Sequence, residues 1–488
     1  MISYLVILRG GFTVSNTKSR TLDATQGSIL RPLIAFSIPI MLTNILQILF
    51  NAADIVIVGQ FGSENSVGAI GSTTSIINLM INFFTGISIG ATVIISNEIG
   101  ARAKNKDETA HTVYALGIVF GVFTAILGQI IAKPFLLMLG TPVEILPKAL
   151  LYLRIYYLGL PGFMIYTFAR AILICTGETK APLRYLAFSG GANLVLNLFL
   201  VCVIKLDVAG VAIATIVSQY ISAILVTRKL HKIEGDFHLD FKKIRIHKEK
   251  LFPIIRMGLP AGIQSAVFSI AGMIFQRSVN SLGAVAVDGN SAALSINMFA
   301  FQAMSAFAQG AMTFSGQNYG AKKYPRLNRV FTRTILCQLV MGGMVSIIVL
   351  ILGPKLLLIY LPDSPEAIDY GVVSLNMMMS FCFIAGMQET ASNMLRGIKK
   401  SFLPMITVIV GNCVMRIAWI IFIFNWAAKV FDSITSYRYL MIAYPVTWGF
   451  TFVVNLIIYI VCYIRLVKKH TPSEEVVSET IEFKNLSA

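Results

Sequence analysis

The chain has 488 residues, 56% hydrophobic and only 13% charged, with a mean hydropathy of +0.75 and a formal charge of +17. Soluble domains carry about 25% charged residues, so this composition excludes an ordinary water-soluble fold and points to a bilayer as solvent. The basic excess is spread through short connections between apolar runs, which is the pattern of membrane topology rather than of a nucleic-acid surface.

The apolar start Met1 to Leu8 is too short for a signal-peptide core, and Arg9 interrupts it. No small-residue cleavage site follows before the polar segment Ser15 to Gln26, so residues 1–28 are expected to form a cytoplasmic tail. A span needs about 20 mostly apolar residues. Such runs lie near Leu33 to Val58, Val67 to Ser96, Thr112 to Ala132, Leu151 to Cys175, Leu183 to Ile204 and Val208 to Val226. A polar, basic stretch from Arg228 to Lys250 follows. Six more runs then lie near Pro253 to Val279, Ala292 to Phe314, Phe331 to Leu352, Gly371 to Leu395, Phe402 to Phe424 and Leu440 to Ile464. The pattern predicts an all-α integral membrane protein of twelve spans. It would comprise a six-helix bundle over 29–228, a cytoplasmic linker over 229–250, a second bundle over 251–466 and a flexible polar tail over 467–488.

Alternate connections carry the Lys and Arg: Arg102, Lys104 and Lys106; Lys180 and Arg184; Arg228 through Lys250; Lys322 through Arg333; and Arg396 through Lys400. By the positive-inside rule these face the cytoplasm, and with an even number of spans both termini do too. The expected location is the cell membrane.

The two halves resemble each other. Pro39, Gly62 and Gly68 recur 221 residues later as Pro260, Gly283 and Gly289, and Gly100-Ala101-Arg102 recurs 220 later as Gly320-Ala321-Lys322. Six spans per half give both halves the same orientation, related by an axis along the membrane normal, as in the parallel repeats of secondary transporters. Gly86 and Gly90, Gly117 and Gly121, and Gly258 and Gly262 have the GxxxG spacing that permits close helix approach, a weak signal in a glycine-rich membrane chain.

Other classes find little support. No GxxxxGK[ST] nucleotide loop occurs, so an ATP-driven pump would need a partner subunit. A membrane transferase would need a carboxylate pair such as DDxxD or a Ser/His arrangement, and neither is visible. The six cysteines lack CxxC spacing, and the five histidines fall in or beside polar connections, so no metal site or cofactor is expected. An internal repeat also argues against a channel, whose usual mark is a ring of identical residues in an oligomer.

The paired halves, Asp54 late in the first span, Ser96-Asn97-Glu98-Ile99-Gly100-Ala101 after the second and Thr176-Gly177-Glu178-Thr179-Lys180-Ala181-Pro182 after the fourth resemble the multidrug and toxic compound extrusion (MATE) family. The resemblance covers roughly residues 28 to 466. Glu178 stands where the family's glycine turn usually has Asp, and Gly397-Ile398-Lys399-Lys400 departs further, which obscures the subfamily. The resemblance implies a V-shaped pair of six-helix bundles that exports organic cations or amphipathic compounds in exchange for H+ or Na+. The expected partners are small organic molecules and the bilayer, with the protein a monomer. A lipid-linked glycan flippase of the same superfamily is the alternative reading.

An ionisable group inside a span costs about 2.5 to 3.5 kcal/mol on insertion scales, so each calls for a role. Asp54, with a polar approach at Asn51 and an apolar exit at Ile55 to Val58, is the first candidate for the coupling carboxylate. Its bland alternative is an interfacial Asp reaching water. The resemblance places polar residues of the fifth helix beside it, here Asn193 and Asn197, with Thr215 of the sixth a weaker match. Read alone, two Asn on a membrane helix serve more often as interhelical packing glue. In the second half, Glu389 and Arg416 are expected to face a cavity, either pairing with each other or leaving Glu389 to contact substrate. Gln264 and Arg170 are further intramembrane polar candidates.

Overall fold

The computed structural model describes residues 22–362 and 364–470. The expectations of an N-terminal tail and of a flexible C-terminal tail fall mostly on residues outside these. Among the described residues eleven helices are long and apolar enough to cross a membrane. They are α1 (Leu30–Phe61), α2 (Ser66–Gly100), α3 (Lys106–Met138), α4 (Leu146–Cys175), α5 (Lys180–Val203), α6 (Asp207–Lys232), α7 (Lys248–Asn280), α8 (Ala284–Gly320), α9 (Pro325–Tyr360), α12 (Phe402–Val430) and α13 (Ser433–His470). The tenth span is a bent pair, α10 (Pro365–Met379) and α11 (Cys382–Gly397), which meet at 46°. In hydrocarbon every backbone polar group must be satisfied within the chain, which is why spans are helical and why a break needs a donor nearby. Here Ser346 of α9 donates to the Met379 carbonyl at 2.5 Å, and Gly342 gives Phe383 room to sit against α9.

α1 to α6 form one lobe and α7 to α13 the other, but the first helix of each lobe crosses over. The first half of α1 (Leu33, Phe36, Ile40) packs into a core with Phe307, Ala311 and Phe314 of α8 and Leu395 of α11. Its second half (Ile57, Val58) returns to its own lobe, beside Ala69 of α2 and Leu153 of α4. α7 does the converse: Ile254 joins the core of α2, α3 and α4, while Phe275 and Val279 pack in the second lobe. The sequence boundary between bundles is therefore not the packing boundary.

This exchange makes a tight seam between α2 and α7. A Cβ at Gly86 would strike the backbone of Gly262, and one at Gly90 the backbone of Ile254 and Gly258. The two GxxxG pairs therefore face each other across the lobes, and their spacing carries more than it promised in the sequence. The repeated glycines close the same end: Gly100 lies against the backbone of Gln317, and Gly320 against that of Asn97. Gln317 donates to the Cys175 carbonyl at 3.3 Å, while Asn97 donates to the Gly397 carbonyl at 3.0 Å, a matched exchange about the pseudo-twofold axis. An ion pair between Lys250 and Glu98, 2.8 Å, adds to the seam.

The connections at this end are ordered. Residues 233–247 pack on the first lobe, with Phe237 and Leu239 buried in its core and the Asp240 amide donating to His111 Nε2 at 3.0 Å. Residues 22–28 form a strap beneath both lobes. Leu22 N donates to the Thr176 carbonyl and Ala24 N to Gln317 Oε1, while Lys323 and Arg326 donate to the carbonyls of Thr25 and Gly27. Gly177, at φ +91°, makes the turn against which Leu22 rests, a backbone region unfavourable to other residues. All six cysteines are free thiols, four of them buried.

Candidate functional site

Asp54 lies near the end of α1 remote from the seam, with α5 and α6 facing it. α5 comes close because Gly190 leaves space for the Phe50 ring, one turn before Asp54; any side chain there would overlap the ring. Three and seven residues on, Asn193 and Asn197 lie on the same face of α5 and are both buried. Asn197 Nδ2 donates to Asp54 Oδ1 at 2.5 Å and to Asn193 Oδ1 at 3.3 Å. From α6, Thr215 Oγ1 donates to Asp54 Oδ2 at 3.3 Å, sharing its hydrogen with the Val211 carbonyl at 2.9 Å. The structure thus brings together all four residues of the first candidate set. Immediately after Asn197, α5 loosens into a π-helical turn over Leu198–Val203, a departure often found at functional sites.

The pocket has a surplus acceptor. With its amide nitrogen committed to Asp54 and Asn193, the buried Oδ1 of Asn197 has no hydrogen-bond donor. A buried unmatched oxygen costs about 1 to 3 kcal/mol. Together with the Asp54 carboxylate, Asn193 Oδ1 and Thr215 Oγ1, it makes a set of hard oxygens. Such a set suits Na+ or a proton carried on the carboxyl, and no soft metal. Sequence reasoning did not single out Tyr152 and Tyr156 of α4, which lie within range of Asp54's charge, their rings 5.9 Å apart. Tyrosines on an apolar span carry no signal that separates them from packing.

Arg170 does not join this pocket. It donates from α4 to Asn44 Oδ1 at 3.1 Å, which is about 15 Å down α1 from Asp54 at 1.5 Å per residue.

The second lobe holds the remaining candidates, though not as a Glu389 and Arg416 ion pair. Glu389 accepts from Ser305 Oγ of α8 at 2.8 Å, and the cation whose field reaches it is Arg396. Arg416 donates to Thr447 Oγ1 at 3.1 Å and lies over the Tyr444 ring at 4.2 Å. The reason is helical phase: α11 turns Glu389 toward α8, whereas Arg416, in the five-residue α-helical stretch between two π-helical segments of α12, is directed at α13. Gln264 of α7 accepts from Arg396 Nη2 at 2.8 Å. Arg396 was read from the sequence only as a basic loop marker, yet it is buried.

The repeat extends to this level of detail. The π-helical segment Ile420–Phe424 lies at the position of Leu198–Val203 when shifted by the repeat of 221. The same shift puts Phe275 where Asp54 stands in the first half, and Phe275 is buried against Tyr444, their rings 4.9 Å apart. The carboxylate pocket therefore belongs to one lobe only.

The family model MatE matches residues 39–199 and again 260–422, so its two copies begin at the paired prolines. The chain belongs to the MatE family. Its members are membrane transporters rather than enzymes. The probable multidrug resistance protein YpnP of Bacillus subtilis is 27% identical over 403 residues, spanning 80% of this chain and 87% of the relative. The probable multidrug resistance protein NorM of Thermotoga maritima is 24% identical over 425 residues, 86% and 88% of the two chains. Among solved structures, an outward-facing multidrug resistance MATE family transporter superimposes at a TM-score of 0.85, with 20% identity over 93% of this chain and all of that one. The fold expected from the sequence, two six-span bundles related as a parallel repeat, is thus the fold of this MatE chain.

Proposed function

We propose that this MatE protein is a multidrug exporter that moves small amphipathic organic compounds, organic cations among them, out of the cell in exchange for inward H+ or Na+. The observation that carries this is the cluster of Asp54, Asn193, Asn197 and Thr215, a carboxylate with an unmatched amide oxygen inside a span. α1 supplies a route for coupling. Its Asp54 end sits in the first lobe's pocket and its first half in the second lobe's core, so a cation that pulls α1 toward Asn197 also acts on the seam. The basic connections all lie at the seam end, which we assign to the cytoplasm together with both termini, so the closed seam corresponds to an outward-facing state of a monomer. The names of the YpnP and NorM relatives support the substrate class.

The test uses purified protein in liposomes with an imposed pH or sodium gradient, following efflux of a fluorescent organic cation. Wild type should respond to one of the gradients, and Asp54→Asn should lose that response by at least about tenfold while still inserting. Wild-type transport indifferent to both gradients would sink the antiport reading.

A further inference from the structure

In each lobe the first, fifth and sixth spans meet around a polar cluster, at different heights in the two lobes, and the two clusters have opposite charge. In the first lobe those spans bring together Asp54, Asn197 and Thr215. In the second they bring together Phe268, Arg416 and Thr447, with Tyr444 under the guanidinium. Arg416 is only 4% exposed, its Nε has no acceptor, and among the described residues no carboxylate pairs with it. One turn along the same face of α7 from Phe268, Gln264 meets Arg396, which is 5% exposed. Arg396 spends its two Nη groups on Asn393 and Gln264 and also leaves Nε without a partner. Among the described residues Glu389 is the acid in range of Arg396, and none is in range of Arg416.

An unpaired guanidinium in the interior of a membrane lobe is costly, and a ring face offsets only part of what a counter-ion would. Two free Nε–H donors, on guanidinium groups that meet positions one turn apart on α7, one of them set against the rings of Tyr444 and Phe268, have the chemistry to hold a planar carboxylate attached to an aromatic body. We propose that the second lobe of this protein is a binding site for the carboxylate of an amphipathic, zwitterionic or anionic substrate, with Arg416 its principal ligand and Arg396 its second. This rests on the exporter reading for the term substrate, but it is tested by equilibrium binding, which needs neither a gradient nor Asp54.

The probes are a matched pair of xanthene dyes, rhodamine 110 with a free carboxylate and rhodamine 123, its methyl ester, titrated against detergent-purified protein by fluorescence anisotropy. Wild type should bind the carboxylate dye about tenfold more tightly than the ester. Arg416→Gln should bring the ratio of the two affinities to about one, and Arg416→Lys should keep part of the preference. The ratio is insensitive to any misfolded fraction, and if the Gln variant does not fold, the wild-type and Lys ratios still decide. Wild type that favours the ester, binds the two alike or binds neither overturns the assignment. A preference that appears in methanesulfonate and vanishes in chloride at equal ionic strength gives the site to a free halide and overturns it too. Loss of gradient-driven efflux with the carboxylate preference intact would instead count against antiport alone.

Discussion

Asp54 is held inside a span by donors from Asn197 and Thr215, and Asn197, whose own Oδ1 is left unmatched, is the residue on which the pocket turns. Its Nδ2 hydrogen bond to the carboxylate is charge-assisted, a class worth about 1.5 to 3 kcal/mol. Asn197→Ala is therefore expected to weaken the coupling cation by roughly ten- to a hundredfold. The check is the ion concentration giving half-maximal efflux, which should rise while transport at saturating ion recovers. Asn193→Ala, one hydrogen bond further away at 3.3 Å, should cost less. The chemistry of Asp54 was legible in the sequence because a carboxylate among apolar residues is rare. The tyrosines of α4 and the burial of Arg396 were not, because an aromatic on a span and a basic residue near a span end have ordinary explanations. Glu389 and Arg416 were each recognisable as unusual, but whether two charges meet depends on helical phase and on bends, and the break between α10 and α11 and the π-helical segments of α12 decide it here.

The seam between α2 and α7 depends on four glycines, and its character is all-or-none: a methyl at any of them meets backbone, which cannot rotate away. Overpacking of this kind costs about 1 to 3 kcal/mol and sometimes more. Gly90→Val should therefore depopulate the closed arrangement of the basic end, since the added side chain meets the α7 backbone at Ile254 and Gly258. Spin labels placed on Lys104 and Lys399, both exposed at that end, should report a longer or broader distance distribution in the variant. An unchanged distribution would show that the seam closes without the glycines. α7 can reach α2 only because small residues fall on the facing sides of both helices, a match between distant segments that each segment's own spacing does not reveal.

Over the whole molecule, the strap of residues 22–28 ties the two lobes at their closed end, and Asp23 holds its shape. Burial raises the Asp23 carboxyl, but hydrogen bonds from Thr25 N at 2.9 Å and Thr25 Oγ1 at 2.5 Å, with Lys323 and Arg102 nearby, outweigh it and hold the group below its usual range. A carboxylate with a lowered folded value stabilises the folded arrangement above its ordinary pKa of about 3.9 and loses that contribution as pH falls through the lowered value. A spin label at Ser28 should accordingly stay restrained down to about pH 4 and gain mobility as the pH falls further. Asp23→Asn should show the higher mobility at pH 6 already; a label equally restrained in both would assign the strap's order to Arg326 and Gln317 instead.

Composition alone determined the solvent, because no arrangement of so apolar a chain is stable in water. The lengths of the apolar runs determined the span count, and the 221-residue repeat determined two lobes of like orientation. That Asp54 would meet Asn193, Asn197 and Thr215 was foreseen through the family resemblance, because two amides at i, i+4 spacing by themselves serve more often in interhelical packing. What only the tertiary structure decided is where these parts meet. Periodicity describes one helix at a time, so it could not show α1 and α7 exchanging lobes or glycines of α2 meeting glycines of α7. Nor could it show that Arg396 and Arg416, from two different helices, are both buried in the second lobe.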